Sequence, residues 1–258
     1  MANRLRDTIA MVTGGAGGIG SETARLFCAE GARVAIVDLN ADNLRLVAAL
    51  ITEDIPSAAI LPITADISRE EEAARAVAEL VAAFGGLTVL VNNAGVRAFG
   101  PISEASPASW RRIIDVNLLG TANCSKAALP KLREANAASI VNVSSVHAEV
   151  GRKGMGQYDA TKAGIVSLTR TLAWEEAGNG IRVNAVCPGG TLTPYHISRY
   201  GEQGVSEETL RTRQADTCLL GRWAEPREVA YPILWLASDE ASFVTGAALM
   251  VDGGKAAM

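Results

Sequence analysis

Short apolar runs alternate along the chain with longer stretches in which apolar residues recur at helical spacing. Thr8 to Thr13 (Thr-Ile-Ala-Met-Val-Thr) is apolar throughout its middle and polar at both ends, as a strand buried on both faces would be. Ala32–Val37, Ala58–Ile63, Leu87–Val91, Ser139–Val143, Ile181–Val186 and Ala247–Val251 read the same way. Between these strands the spacing predicts helices: a segment closing at Gly31, Asp42–Ile51, Arg69–Phe84, Ser109–Leu132 with a break near Gly120, a stretch through Tyr158 to about Ala177, and Arg227–Ala237. Strands joined by helices imply a parallel sheet with right-handed crossovers and helices on both faces. The predicted fold class is therefore α/β: a three-layer, doubly wound parallel sheet in a single domain over residues 1–258. One region breaks the alternation. Residues 191–218 are polar and carry Pro194, Tyr195, His196, Gly201 and Gly204, with a short helical segment from Ser206. A long excursion straight after a strand's carboxyl end is an expected substrate-covering loop.

Composition narrows the class. The chain has 258 residues, 48% hydrophobic and 20% charged, which suits one sizeable core. Its formal net charge is −4 and its basic residues are scattered, so it lacks the basic stripe that nucleic-acid binding needs. No run of about 18 or more apolar residues predicts a membrane span, and Met-Ala-Asn-Arg-Leu-Arg-Asp lacks the apolar segment of a signal peptide. Cys28, Cys124, Cys187 and Cys218 are far apart and read as free thiols of a reducing compartment. With His147 and His196 as the only histidines, no zinc-ligand spacing arises. A cytoplasmic protein acting on small molecules, without metal, membrane or nucleic-acid partners, is the expectation.

The first strand empties into Gly14-Gly15-Ala16-Gly17-Gly18-Ile19-Gly20, a helix follows, and the second strand ends on the acid Asp38. Strand, glycine turn, helix, strand and acid in that order make the dinucleotide-binding unit of a Rossmann fold. Glycines let the backbone turn sharply and let phosphate approach amide groups that a Cβ would block. The helix that starts there offers unpaired N–H groups and the positive end of its dipole to a pyrophosphate. Asp38 can accept hydrogen bonds from ribose hydroxyls and repels a 2′-phosphate, and the turn contains no basic residue, so NAD is favoured over NADP. A second constellation is Tyr158 and Lys162, four residues apart on one face of a predicted helix. An ammonium beside a phenol favours the phenolate, a proton donor and acceptor usable near neutral pH. Asp38, Asp66, Asn92, Ser145 and Pro188 all fall at predicted carboxyl ends of strands, where ligands bind in such sheets.

Over essentially its whole length the chain resembles the short-chain dehydrogenase/reductase family in its compact branch. Thr13 to Gly20 matches Thr-Gly-x-x-x-Gly-x-Gly, and Asn92-Asn93-Ala94-Gly95 matches Asn-Asn-Ala-Gly. Asn117 stands where the family has its helix asparagine, Ser145 precedes Tyr158 by thirteen residues, and Tyr158 to Lys162 is Tyr-x-x-x-Lys. Pro188-Gly189 and Val251-Asp252-Gly253-Gly254 match as well.

The resemblance implies a catalytic set of Asn117, Ser145, Tyr158 and Lys162. Tyr158 would exchange the hydroxyl proton, Ser145 would hold the substrate oxygen, and Lys162 would support the phenolate and hydrogen-bond the nicotinamide ribose. Asn117 would secure a water connecting Lys162 to solvent. The implied NAD contacts are Gly14, Gly17, Gly18, Ile19 and Gly20 in the turn, with Asp38 and Leu39 after the second strand. Asp66 and Ile67, then Asn93, Ala94 and Gly95, follow the next two strands. Pro188, Gly189, Thr191 and Thr193 complete the set with Tyr158 and Lys162. Alternatives stand beside three of these roles. Ser144 rather than Ser145 could be the active hydroxyl, Asn117 could pin a helix kink, and Asp66 could cap the next helix. Thr191 departs from the Val or Ile common at that place in the family.

Arg97, His147, Gln157, Tyr195 and His196 are candidate substrate contacts, as is Arg152, and Arg97 with His147 could bind a carboxylate or several hydroxyls. The expected substrate is a small polar secondary alcohol or its ketone: a sugar, cyclic polyol or hydroxy acid. A 3-oxoacyl-thioester reductase of the same family, usually served by NADPH, is the alternative enzyme, and a non-catalytic dinucleotide sensor or scaffold the alternative of another kind. The family further implies a homotetramer, to which Leu168, Trp174, Trp235 and Phe243 could contribute surface.

Overall fold

Strands with apolar residues at successive positions need cover on both faces, and the structure provides it. The computed structural model describes residues 3–135, 137–212 and 218–258. β1 (Ile9–Thr13), β2 (Arg33–Asp38), β3 (Ala59–Thr64), β4 (Val89–Asn92), β5 (Ala138–Val143), β6 (Ile181–Pro188) and β7 (Ala248–Val251) form one parallel sheet. Their order is β3-β2-β1-β4-β5-β6-β7, so the winding reverses between β1 and β4. Side-chain alternation divides the core in two. Val12, Val34, Ile36 and Val141 face one layer, which contains α1 (Gly18–Ala29), α2 (Ala41–Asp54) and α9 (Pro226–Ala237). Met11, Ala35, Val37 and Ile140 face the other, with α3 (Glu70–Phe84), α5 (Gly120–Leu132) and α6 (Gly156–Glu176). This is the three-layer doubly wound arrangement predicted. Pro62 is tolerated in β3 because that strand lies at the sheet edge, where a missing N–H breaks no ladder on its open side.

Two predicted features differ. The expected break near Gly120 is a widening: α4 (Pro107–Ile114) continues through a π-helical turn, Asp115–Leu119, into α5, with right-handed helical backbone at Gly120. The 191–218 excursion is more regular than its polar composition suggests. It contains α7 (Pro194–Gly201) as well as α8 (Glu207–Thr212), while residues 213–217 lie outside the described residues. The signal for α7 was present in Thr193-Pro194, an N-cap residue followed by proline at the first helical position. Of the four residues expected to face a partner, Leu168 and Trp235 pack against the two core layers, whereas Trp174 and Phe243 are exposed. Among the described residues no helix is long and apolar enough to cross a membrane.

Candidate active site

Where the winding reverses, the loops after β1 and β4 diverge and open a cleft. Hydrogen bonds join its two walls. Thr13 Oγ1 accepts from the backbone N–H groups of Asn93 and Ala94 at 3.0 and 3.1 Å. Asn93 Nδ2 donates to the Thr13 and Gly14 carbonyls at 3.0 and 3.1 Å. Gly20 explains its own identity, because a Cβ there would sit 2.2 Å from the Gly14 oxygen. The N-cap of α1 is Gly17, which supplies no side-chain hydrogen bond, and the first turn carries no acid. That helix end therefore keeps its amide donors and positive dipole directed at whatever occupies the cleft.

A cavity of about 480 Å³ runs from this turn across the carboxyl ends of the strands. It brings together Gly14, Gly17, Gly18, Ile19, Asp38, Leu39, Asp66, Ile67, Asn93, Ala94 and Gly95. Its other walls hold Ser145, Tyr158, Lys162, Pro188, Gly189, Thr191, Thr193, Arg97, Tyr195 and His196. Gly20, Asn117, His147 and Gln157 do not line it. Ala16, Val37, Asn43, Ala65, Val96 and Val116 do, without a sequence signal to single them out beyond adjacency to the motifs.

At the β2 end, Asp38 Oδ2 accepts from Ala16 N at 3.3 Å and Oδ1 from Asn40 N at 3.2 Å, so the carboxylate is held against the glycine turn. Asp66 lines the cavity and also serves the next helix. Its Oδ1 accepts from Ser68 N and Ser68 Oγ at 3.0 and 2.7 Å, just before α3. Both readings of that acid are compatible with its position.

At the far end, the i, i+4 spacing on α6 sets Tyr158 and Lys162 side by side, both buried, with Lys162 Nζ 5.6 Å from the centre of the Tyr158 ring. Lys162 Nζ donates to the Val143 carbonyl at 2.8 Å. Burial pushes its ammonium below the usual lysine range, Tyr158 opposes that shift, and the cation of Arg97 adds to it. The two serines separate here. Ser144 Oγ donates to the Lys162 carbonyl at 2.7 Å, so its proton braces α6. Ser145 Oγ accepts from His147 N at 3.1 Å, which leaves its O–H to donate.

Asn117 sits in the π-helical turn, fully buried. Its Oδ1 accepts from Val96 N at 2.7 Å, and its Nδ2 donates to Val96 O and Thr161 Oγ1, each at 3.0 Å. The amide thus clamps the loop after β4 to α6. Gly95 lies between the two: a Cβ there would stand 3.3 Å from Asn117 Oδ1 and 3.5 Å from Lys162 Nζ.

The candidate substrate residues do not all converge. His147 lies behind Ser145, its Nδ1 at 2.9 Å from the Val150 carbonyl, with its basicity lowered chiefly by burial. Gln157 Oε1 accepts from Ser109 Oγ at 3.1 Å and ties α6 to α4. The expected pairing of Arg97 with His147 is therefore replaced by another neighbourhood. The Arg97 guanidinium lies over two rings, 5.3 Å from the centre of Tyr158 and 5.5 Å from that of Tyr195. His196 is buried edge-on to Trp223 with its Nδ1 2.9 Å from Thr193 Oγ1, and burial is the main reason its pKa falls to about 3.

Among the described residues, no cluster of His, Cys, Asp and Glu is arranged to hold a metal ion. The arrangement suits a dinucleotide at one end and a proton transfer at the other. A family model described as enoyl-(acyl carrier protein) reductase matches residues 14–256. The chain is 39% identical to the 2-(S)-hydroxypropyl-CoM dehydrogenase 3 of Xanthobacter autotrophicus, over the full length of both. It is 42% identical to the cis-4-hydroxycyclohexanecarboxylate dehydrogenase of Sinomonas cyclohexanicum, again over the full length of both. Among solved structures it resembles the aldohexose dehydrogenase of Thermoplasma acidophilum, with a TM-score of 0.88 and 33% identity over 100% of this chain and 97% of that one.

Proposed function

The chain belongs to the short-chain dehydrogenase/reductase family, and on that footing we propose that it is an NAD-dependent oxidoreductase interconverting a small polar secondary alcohol and its ketone. The observation that carries this is one cavity with Asp38 and the glycine turn at one end and the buried Tyr158–Lys162 pair at the other. The residues fit the cofactor: the uncapped start of α1 suits a pyrophosphate, the glycines leave room for it, and Asp38 suits ribose hydroxyls. When bound, the nicotinamide supplies the hydride acceptor, or the donor in the reverse direction.

The protein's own part is proton transfer and positioning. Ser145 donates its O–H to the substrate oxygen and stabilises charge that develops there. Tyr158 takes the hydroxyl proton in oxidation and returns it in reduction. Lys162, buried beside the ring and held by the Val143 carbonyl, sets a cation next to the reacting phenol. Asn117 holds the Val96 loop and α6 in register, so that Lys162 and the loop stay aligned.

The test is a spectrophotometric screen of NAD⁺ and NADP⁺ against secondary alcohols, with Tyr158→Phe as the key variant. Tyr158→Phe is expected to lower turnover by about 10²–10⁴-fold while NADH still binds. Retention of more than a tenth of wild-type turnover would remove Tyr158 from the proton step. A 3-oxoacyl-thioester reductase is the second reading, favoured by 37% identity, over 97% of this chain and 98% of the relative, to the 3-oxoacyl-[acyl-carrier-protein] reductase of Thermotoga maritima; NADPH-linked reduction of acetoacetyl thioesters, faster than any NAD-linked alcohol oxidation, would select it. The subunits are proposed to assemble as a homotetramer through surface that includes the exposed Trp174 and Phe243. Light scattering that returns one subunit mass across micromolar concentrations excludes that assembly.

A further inference from the structure

Three arginines gather near the reactive end of the cavity, Arg97 in its lining and Arg152 and Arg199 outside it, and none of them has an ion-pair partner among the described residues. Arg97 lines the cavity and touches the faces of Tyr158 and Tyr195, contacts that engage its charge but not its in-plane N–H donors. Arg152 is half-buried, and its Nε has no hydrogen-bond partner. Arg199 lies over Phe99, 3.5 Å from the ring centre. All three act electrostatically on the same imidazole, that of His196, and Arg97 and Arg152 repel each other. Asp159 is the carboxyl that faces Arg152. Its Oδ2 is taken by the Arg152 backbone N–H at 3.1 Å, its Oδ1 is buried without a partner, and burial pushes it toward its neutral form.

Partly desolvated guanidinium groups held together with a single carboxyl, Asp159, beside one of them are costly unless a further anion joins them. A sugar or polyol would need acceptors as well as donors from the protein, and arginines are donors only. The chain as a whole carries −4, so a positive end to the cavity runs against its net charge and would draw an anion inward. The glycine turn, not these arginines, is the cradle for cofactor phosphates, and Arg97 lies at the Tyr158 end.

We propose that this end of the cavity receives a carboxylate of the substrate, which makes the substrate class a hydroxy acid or the matching oxo acid. Arg97 clamps the carboxylate through its paired N–H donors. Arg152 and Arg199 maintain the positive field around it. The proposal names the substrate of the oxidoreductase reading above and rests on it, yet the anion site can be measured without turnover.

The experiment is calorimetric titration of the enzyme–NADH complex with two matched probe pairs: cyclohexanecarboxylate against cyclohexanecarboxamide, and 3-hydroxybutyrate against 3-hydroxybutyramide. In at least one pair the carboxylate should bind on the order of 10–100-fold tighter than the amide, and added salt should narrow the gap. Arg97→Gln and Arg152→Gln should each shrink that ratio by about tenfold or more, with NADH binding as the check on folding. Lys126→Gln, which removes an exposed positive charge on α5, should preserve it. Indifference to charge in both pairs, or a ratio unchanged in Arg97→Gln, overturns the proposal. Failure of every alcohol to be oxidised while carboxylates still bind selectively would instead remove the reaction and leave the anion site.

Discussion

Asp38→Asn is the substitution that tests the role of charge at the β2 end of the cavity, where we propose that the cofactor ribose binds. The wild-type carboxylate accepts from Ala16 N and Asn40 N, so it both supports the glycine turn and places a negative charge where the ribose is expected. The lining around it offers Leu39 and Asn43, not a cation. The nearest arginine on α2, Arg45, is paired with Asp42. A 2′-phosphate carries about −1.5 to −2 charges. At roughly 5 Å and an effective dielectric of about 40, each unit of that charge is disfavoured by about 1.7 kcal/mol. The sum is about 3 kcal/mol, or a preference for NADH over NADPH on the order of 100-fold. Asparagine keeps one acceptor, for either the Ala16 or the Asn40 N–H but not both, and removes the charge, so the ratio of the two affinities should fall to within a fewfold of unity. NADH itself should weaken by about tenfold, as a charge-assisted hydrogen bond becomes a neutral one. Titration of wild type and variant with NADH and NADPH, read by nicotinamide fluorescence, requires no substrate. Comparable wild-type affinities, or a ratio that Asp38→Asn leaves alone, would show that the acid does not set the choice.

Asn117→Ala strands the Val96 N–H and C=O in a buried setting and removes the bond to Thr161. We expect a loss of about 2–4 kcal/mol in urea denaturation, with Tm lower by roughly 5–10 °C; unchanged stability would mean that the side chain acts only through solvent. His196 gives the chain an acid-sensitive element. Its folded pKa is depressed to about 3, mainly by burial and next by Arg97, whereas in the unfolded chain it takes up a proton near 6.5. The unfolded state therefore binds more protons between those values. The stability His196 contributes is intact above about pH 6.5 and is lost as pH falls from there toward 3. His196→Gln should flatten the decline measured between pH 7 and 4.5 by about 2–3 kcal/mol; parallel curves for variant and wild type would contradict this.

Much of this site is legible in the sequence alone, and for local reasons. A glycine that must approach a carbonyl, a phenol and an ammonium one helical turn apart, and an acid at a strand end are each defined by a few neighbouring residues. Such features survive in a one-dimensional reading because backbone sterics and helical period dictate them. The doubly wound sheet was legible for a related reason, since strands buried on both faces and separated by helices admit few topologies. The π-helical turn at Asp115–Leu119 was less so. Its residues keep a helical pattern, and the extra width is seen only in the backbone that carries Asn117 to Val96 and Thr161.

By itself, then, the sequence determined the alternation of elements, the glycine turn ahead of α1 and the shared face of Tyr158 and Lys162. Tertiary structure decided matters that depend on partners far away in the chain. Ser144 and Ser145 are equivalent as letters, and they differ because packing aims one hydroxyl at the Lys162 carbonyl and gives the other the His147 N–H. His147, promising by its nearness to Ser145, turns away to the Val150 carbonyl, while Arg97 comes to rest between Tyr158 and Tyr195. Period and propensity fix which side of an element a residue occupies. Only the closed fold fixes which atom it meets there, how much water remains, and hence what its charge can do.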